Sequence, residues 1–147
     1  MKTLHDSTAR QALQARVDAL RPDSPRQWGL MRVDQMLRHV NAALEMTLGR
    51  LETRRKRIPI PLPVFKFLVF NLPWPKGKAP TAPELIAADT YDFEKERARL
   101  KQLIGEVSAK PVDGHWVVHP AFGPLTGSEC TKLQYKHLDH HLRQFGV

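Results

Sequence analysis

Apolar positions recur at three-to-four residue intervals in four separate stretches of the chain, which is the pattern of amphipathic helices. In the first, from about Thr3 to Leu20, the side chains of Leu13, Val17 and Leu20 share one face. Asp6 and Ser7 offer N-cap side chains there, and Pro22 and Pro25 stop the run because neither supplies a backbone donor. A second helix is expected after the Trp28-Gly29 turn, from Val33 to Leu48, with Gly49 as its stop. Its stripe is Val33, Met36, Leu37, Val40, Leu44, Thr47 and Leu48, and His39 falls at the edge of that stripe, near Ala43 and Met46. The third begins near Asp89 or Thr90 and reaches Ser108, burying Phe93, Leu100, Leu103, Ile104 and Val107 beneath a face of Lys, Arg and Glu. The fourth opens on the capping box Thr126-Gly127-Ser128-Glu129 and carries Cys130 to Gln144.

Between the second and third helices the pattern breaks. A basic run, Arg54-Arg55-Lys56-Arg57, leads into Ile58-Pro59-Ile60-Pro61-Leu62-Pro63, and Pro73, Pro75, Pro80 and Pro83 follow. No long regular element survives that density of proline. Within it, Val64-Phe65-Lys66-Phe67-Leu68-Val69-Phe70 is too apolar to be solvated. Periodicity leaves two readings, a short helix opening at Pro63 or an extended segment on the core. Packing against the body of the protein, covering a site as a lid, and forming a dimer contact are the uses expected for this patch. Trp116-Val117-Val118 suggests a brief extended stretch, but no alternating pattern argues for a sheet and no repeat is present. The expectation is an all-α fold in one domain spanning residues 1–147, a four-helix bundle with a long Pro-rich crossover between helices 2 and 3.

Composition narrows the functional classes. The chain of 147 residues is 41% hydrophobic and 26% charged, which is ordinary for a soluble domain with a real core. Nothing in it approaches the roughly 18 to 20 apolar residues of a membrane span, and the opening Met1-Lys2-Thr3-Leu4-His5-Asp6 has no apolar run, so a cytoplasmic location is expected. A single cysteine, Cys130, excludes an internal disulfide and a Cys-based zinc knuckle, leaving imidazole and carboxylate as the main metal ligands. The net charge of +8 favours anionic partners in general. No aromatic interleaving or groove-reading motif accompanies Arg54 to Arg57, so neither nucleic-acid binding nor membrane docking is expected of that run.

The candidate chemistry lies at the end of the chain, in His137-Leu138-Asp139-His140-His141. Residues four apart on a helix sit one turn apart on one face, so His137 and His141 can converge on one ion. A His-x3-His pair is half of a metal site, and a third ligand from elsewhere would leave the open position that catalytic metals keep. His39 is the best candidate for that ligand. The face that holds Cys130, Leu133, Gln134, His140, His141 and Gln144 mixes polar and apolar groups, and burying such imidazoles and amides unpartnered costs about 1 to 3 kcal/mol each. His140 shares that face and is read as a supporting or substrate-contacting residue, while Cys130 is read as a small buried residue. A zinc protease is excluded, because Leu138 stands where His-Glu-x-x-His would need its general base.

His39 in the second helix with His137-x3-His141 in the fourth resembles the metal triad of the DinB/YfiT-like superfamily of four-helix-bundle proteins. The blocks Trp28-Gly29-Leu30-Met31, Gln35-Met36-Leu37-Arg38-His39 and His119-Pro120-Ala121-Phe122-Gly123-Pro124-Leu125-Thr126 are similar to an uncharacterised subfamily of it. The ending His137 to Gly146 is similar to it too. The resemblance implies a Zn, Ni, Mn or Fe ion between the helices, a small-molecule substrate such as a low-molecular-weight thiol, and thiol transfer or hydrolysis as the reaction class. A homodimer is a further expectation. The Pro-rich insert departs from a minimal bundle of this kind. A second reading stands beside the first: a basic, non-enzymatic binding module in which the histidines are structural and Arg54 to Arg57 meets an anionic partner.

Overall fold

A computed structural model describes residues 1–78 and 81–147. It contains α1 (Ser7–Ala19), α2 (Val33–Thr47), α3 (Leu62–Asn71), a single 3-10 turn (Pro83–Leu85), α4 (Phe93–Ala109) and α5 (Gly127–Gln144). The described residues hold no strand, only an isolated antiparallel bridge between His119 and Gly123, so the extended stretch expected at Trp116 to Val118 pairs with nothing.

Local chemistry sets the helix ends. The Asp6 carboxylate accepts the Ala9 amide at 3.1 Å, so α1 starts at Ser7 rather than at Thr3, and Thr3 instead accepts the Asp6 amide through its hydroxyl. Asp92, not Asp89 or Thr90, caps α4 by accepting the Lys95 amide at 3.1 Å. The capping box on α5 is formed as expected: the Thr126 hydroxyl accepts the Glu129 amide and the Glu129 carboxylate accepts the Thr126 amide.

Among the described residues there are five α-helices, the four long ones expected and the short one that the sequence left open at Pro63. The Val64 to Phe70 run is helical within α3, because Pro63 falls in the first turn, where its missing N–H would have no partner. No residue of α3 is fully buried, and it lies on the outside of the fold. Each of α1 and α2 packs against both α4 and α5. Leu13, Val17, Leu37, Leu44, Leu100, Leu103, Ile104, Leu138 and Leu142 form the centre of the single core. The 3-10 turn also packs on α2, so every residue of α2 except Arg38 and Glu45 is buried. His39 is therefore deep in the protein rather than at an edge. No helix among the described residues is long and apolar enough to cross a membrane.

Candidate metal centre

The site forms where α5 packs on α2. Gln134 on α5 donates its amide to the Thr47 hydroxyl at 2.7 Å, and the chain before α2 is held to the end of α5 by the Gln27 amide on the Gln144 carbonyl. Between these ties the rings of His39, His137 and His141 form a near-equilateral triangle, with centroids 4.9, 4.8 and 4.8 Å apart. One ligating nitrogen from each lies within 4.8 Å of the others. His39 and His141 are buried and His137 is partly covered.

The outer nitrogens fix which way the inner ones face. His39 Nδ1 is 2.8 Å from the carbonyl oxygen of Leu85, and a carbonyl only accepts, so Nδ1 carries the proton and Nε2 keeps its lone pair. His141 Nδ1 is 2.8 Å from Gln144 Oε1 and is likewise the donor, because the Gln144 amide nitrogen donates elsewhere, to the Trp28 carbonyl at 2.9 Å. Both histidines thus turn a deprotonated Nε2 inward. His39 Nε2 meets His137 Nε2 at 3.0 Å. Two imidazole nitrogens about 2.0 to 2.1 Å from one ion are about 2.8 to 3.4 Å apart for bond angles between a right angle and the tetrahedral value. That contact fits a shared ion.

Burial keeps these rings neutral. Loss of water pushes the His39 imidazole below its ordinary value against the opposing Leu85 hydrogen bond, and pushes His141 down to about 3 with help from the neighbouring His39. His137 is held well below the usual range by burial first and then by His141, His39 and His140 around it. Neutral imidazole is the ligating form. The cluster contains no carboxylate, so the donor set is three nitrogens, which suits a borderline divalent transition ion better than magnesium or calcium.

A cleft of about 280 Å³ reaches His39, bordered by Trp28, Leu30, Leu85, Ile86 and His140 among others. His140 stays outside the triangle: its ring sits 5.6 Å from Trp28 and 5.6 Å from Trp74, on the cleft side of the site. Trp74 also covers His137 at 5.8 Å. Cys130 is buried away from the cluster, and burial raises its thiol to about 11. His5 spends both ring nitrogens on structure, at Thr131 and the Lys110 carbonyl.

All three expected histidines come together, while Leu85 and Trp74 enter as supports that the sequence did not single out, and Trp28 was marked only as part of a turn and of the resemblance. Gln144 had a signal, since it lies three residues after His141 on the same face. The Leu85 contact is made by a backbone carbonyl in the segment between α2 and α4, and no side-chain pattern announces it.

An all-helical protein with a buried three-histidine cluster that could hold a metal ion is the class this geometry defines. The chain belongs to the family described as "Protein of unknown function (DUF1569)", whose model matches residues 3–146. No curated protein and no solved structure matches it.

Proposed function

We propose that this protein binds a Zn, Ni, Mn or Fe ion through His39, His137 and His141 and acts on a small molecule that enters by the cleft beside His39. The observation that carries this reading is the inward turn of the histidines, with Nδ1 of His39 and of His141 each occupied by an acceptor on the outside. A structural histidine pair would need no such arrangement around a third imidazole. In this reading α1, α2, α4 and α5 are a four-helix bundle of the DinB/YfiT-like type, and the segment between α2 and α4 is its crossover. The ion would act as a Lewis acid and lower the pKa of a bound water or thiol, which suits thiol transfer or hydrolysis. The chain's own part is to hold three neutral donors in place and to wall the cleft with Trp28, Leu30 and Ile86, which favours the apolar portion of a substrate.

Elemental analysis of freshly purified, untagged protein beside folded His137→Ala and His141→Ala variants tests it. About one equivalent of a transition metal in the parent, lost in both variants, is the expected result. No metal in the parent, and no uptake when Zn, Ni, Mn or Fe is supplied, would leave a non-enzymatic role for the histidines.

A further inference from the structure

Helix α3 turns only one side toward the rest of the protein. On that side Phe65 stacks on Phe122 with ring centroids 4.8 Å apart, and Lys66 pairs with Glu129 at 3.3 Å. Lys136 donates to the carbonyls of Val69 and Leu72 at 2.6 Å each. The other side carries Val64, Phe67 and Leu68, which are 49%, 61% and 38% exposed. At helical spacing these three fall within an arc of about 100°. Leu72, just past the C-terminal end of α3, continues the ridge and is 46% exposed. None of the described residues covers it.

The segment that carries α3 is charged with one sign. From Glu52 to Glu84 there is no acidic residue, while Arg54, Arg55, Lys56, Arg57, Lys66, Lys76 and Lys78 are cationic. Arg54 lies beside Glu84, which accepts its backbone amide, and Lys66 is paired. Arg55, Lys56, Arg57 and Lys78 form no ion pair among the described residues, and Lys76 lies over the Trp28 ring at 4.8 Å.

These two facts select an occupant. A second copy of the chain would bring the same unpaired cations against each other, a repulsive arrangement. A nucleic acid would meet the cations but leave Val64, Phe67 and Leu68 facing water or phosphate. An anionic lipid surface satisfies both, with acyl chains for the ridge and headgroup phosphates for its flanks. We propose that α3, with the cations of its flanking segments, Arg55, Arg57 and Lys78, docks this protein on anionic phospholipid membranes, lying in the interface without crossing it. The sequence alone gave no reason to expect membrane docking, because it did not reveal that Phe65 and Phe70 turn inward while Val64, Phe67 and Leu68 turn out.

Co-sedimentation of the full chain with phosphatidylcholine vesicles, with and without phosphatidylglycerol, tests the proposal. Partitioning is expected only with phosphatidylglycerol and is expected to fall as salt rises. Arg55→Gln and Arg57→Gln should each weaken it about fivefold, and Phe67→Ser with Leu68→Ser should weaken it about tenfold or more. Because Phe67 and Leu68 are exposed, each variant should keep its fold, with circular dichroism as the check. Chelator-treated protein should bind equally well, so the result is independent of the metal site. Three outcomes would overturn docking: no partitioning at low salt, partitioning indifferent to Phe67 and Leu68, or a self-association in ultracentrifugation that these two substitutions abolish. Equal binding to heparin with no dependence on Phe67 would instead assign the cations to a soluble polyanion.

Discussion

His39 on α2 donates its Nδ1–H to the backbone carbonyl of Leu85 at 2.8 Å, so a carbonyl of the segment between α2 and α4 sets the tautomer of a central histidine. The donor and the metal-facing nitrogen belong to one ring, and anything that fixes Nε2 also holds Nδ1 on the 3-10 turn. Metal should therefore stiffen a backbone segment that it does not touch. Amide exchange at Leu85 and Ile86, which donate to Ala82 and Pro83, is expected to slow several-fold when one equivalent of Zn is added. In His39→Ala the slowing should vanish. Stoichiometric binding with unchanged exchange at both amides would break the link.

Gln144 offers the second test of the same logic. Its side chain accepts from His141 Nδ1 and donates to the Trp28 carbonyl, so Gln144→Ala leaves two polar groups without partners while keeping all three histidines. Removing a partner of this kind lowers metal affinity by about 10- to 100-fold, and the orphaned groups should cost about 1 to 3 kcal/mol of stability. Competition against a chelating indicator gives the first quantity and urea unfolding of the metal-free protein gives the second. Parent-like affinity in the variant would show that His141 is oriented by packing alone.

The long helices and the histidine triad were legible because periodicity and i, i+4 spacing act within one segment. The depth of His39 was not: a helical wheel places it at the edge of one stripe, whereas burial depends on how many neighbours cover α2, and three do. Helix α3 was ambiguous for a related reason. Its sequence is apolar all round, so no period separates the inward Phe65 and Phe70 from the outward Val64 and Phe67. The first segment was expected from about Thr3 although Asp6 and Ser7 were its N-cap candidates, and the structure shows Asp6 taking the helix amide, so that α1 starts only at Ser7. Leu85 contributes a carbonyl, a group every residue has, so sequence carries no mark of it.

Cys130 provides a negative control for thiol chemistry. Burial, with the neighbouring Glu129 charge, raises its thiol to about 11, so almost no thiolate is present at pH 8. The native protein should react with DTNB far more slowly than a free thiol and at the normal rate once unfolded in urea. Cys130→Ala should leave metal content unchanged, because the side chain lies outside the histidine cluster. Rapid labelling of the folded protein would contradict the buried placement.

Acid should unfold the metal-free protein partly through His119. Its Nδ1 accepts the Ala121 amide at 3.1 Å, its ring packs 4.8 Å from that of Phe122, and burial pushes it from an ordinary value of 6.5 down to about 4. Below 6.5 the unfolded chain takes up this proton while the folded one does not, so acid favours unfolding. The stabilisation is fully present above 6.5 and is lost as pH falls through 4. One proton of difference corresponds to at most about 1.4 kcal/mol per pH unit in that window. Replacing the ring by an amide that can still accept from a backbone N–H two residues on removes the titration and keeps the bond. His119→Asn, compared with the parent by urea unfolding in chelator from pH 7.5 to 4.5, should therefore lose less stability on acidification, with the two curves converging toward the acid end. Parallel curves across the whole range would mean that His119 has the same proton affinity in the folded and unfolded chain.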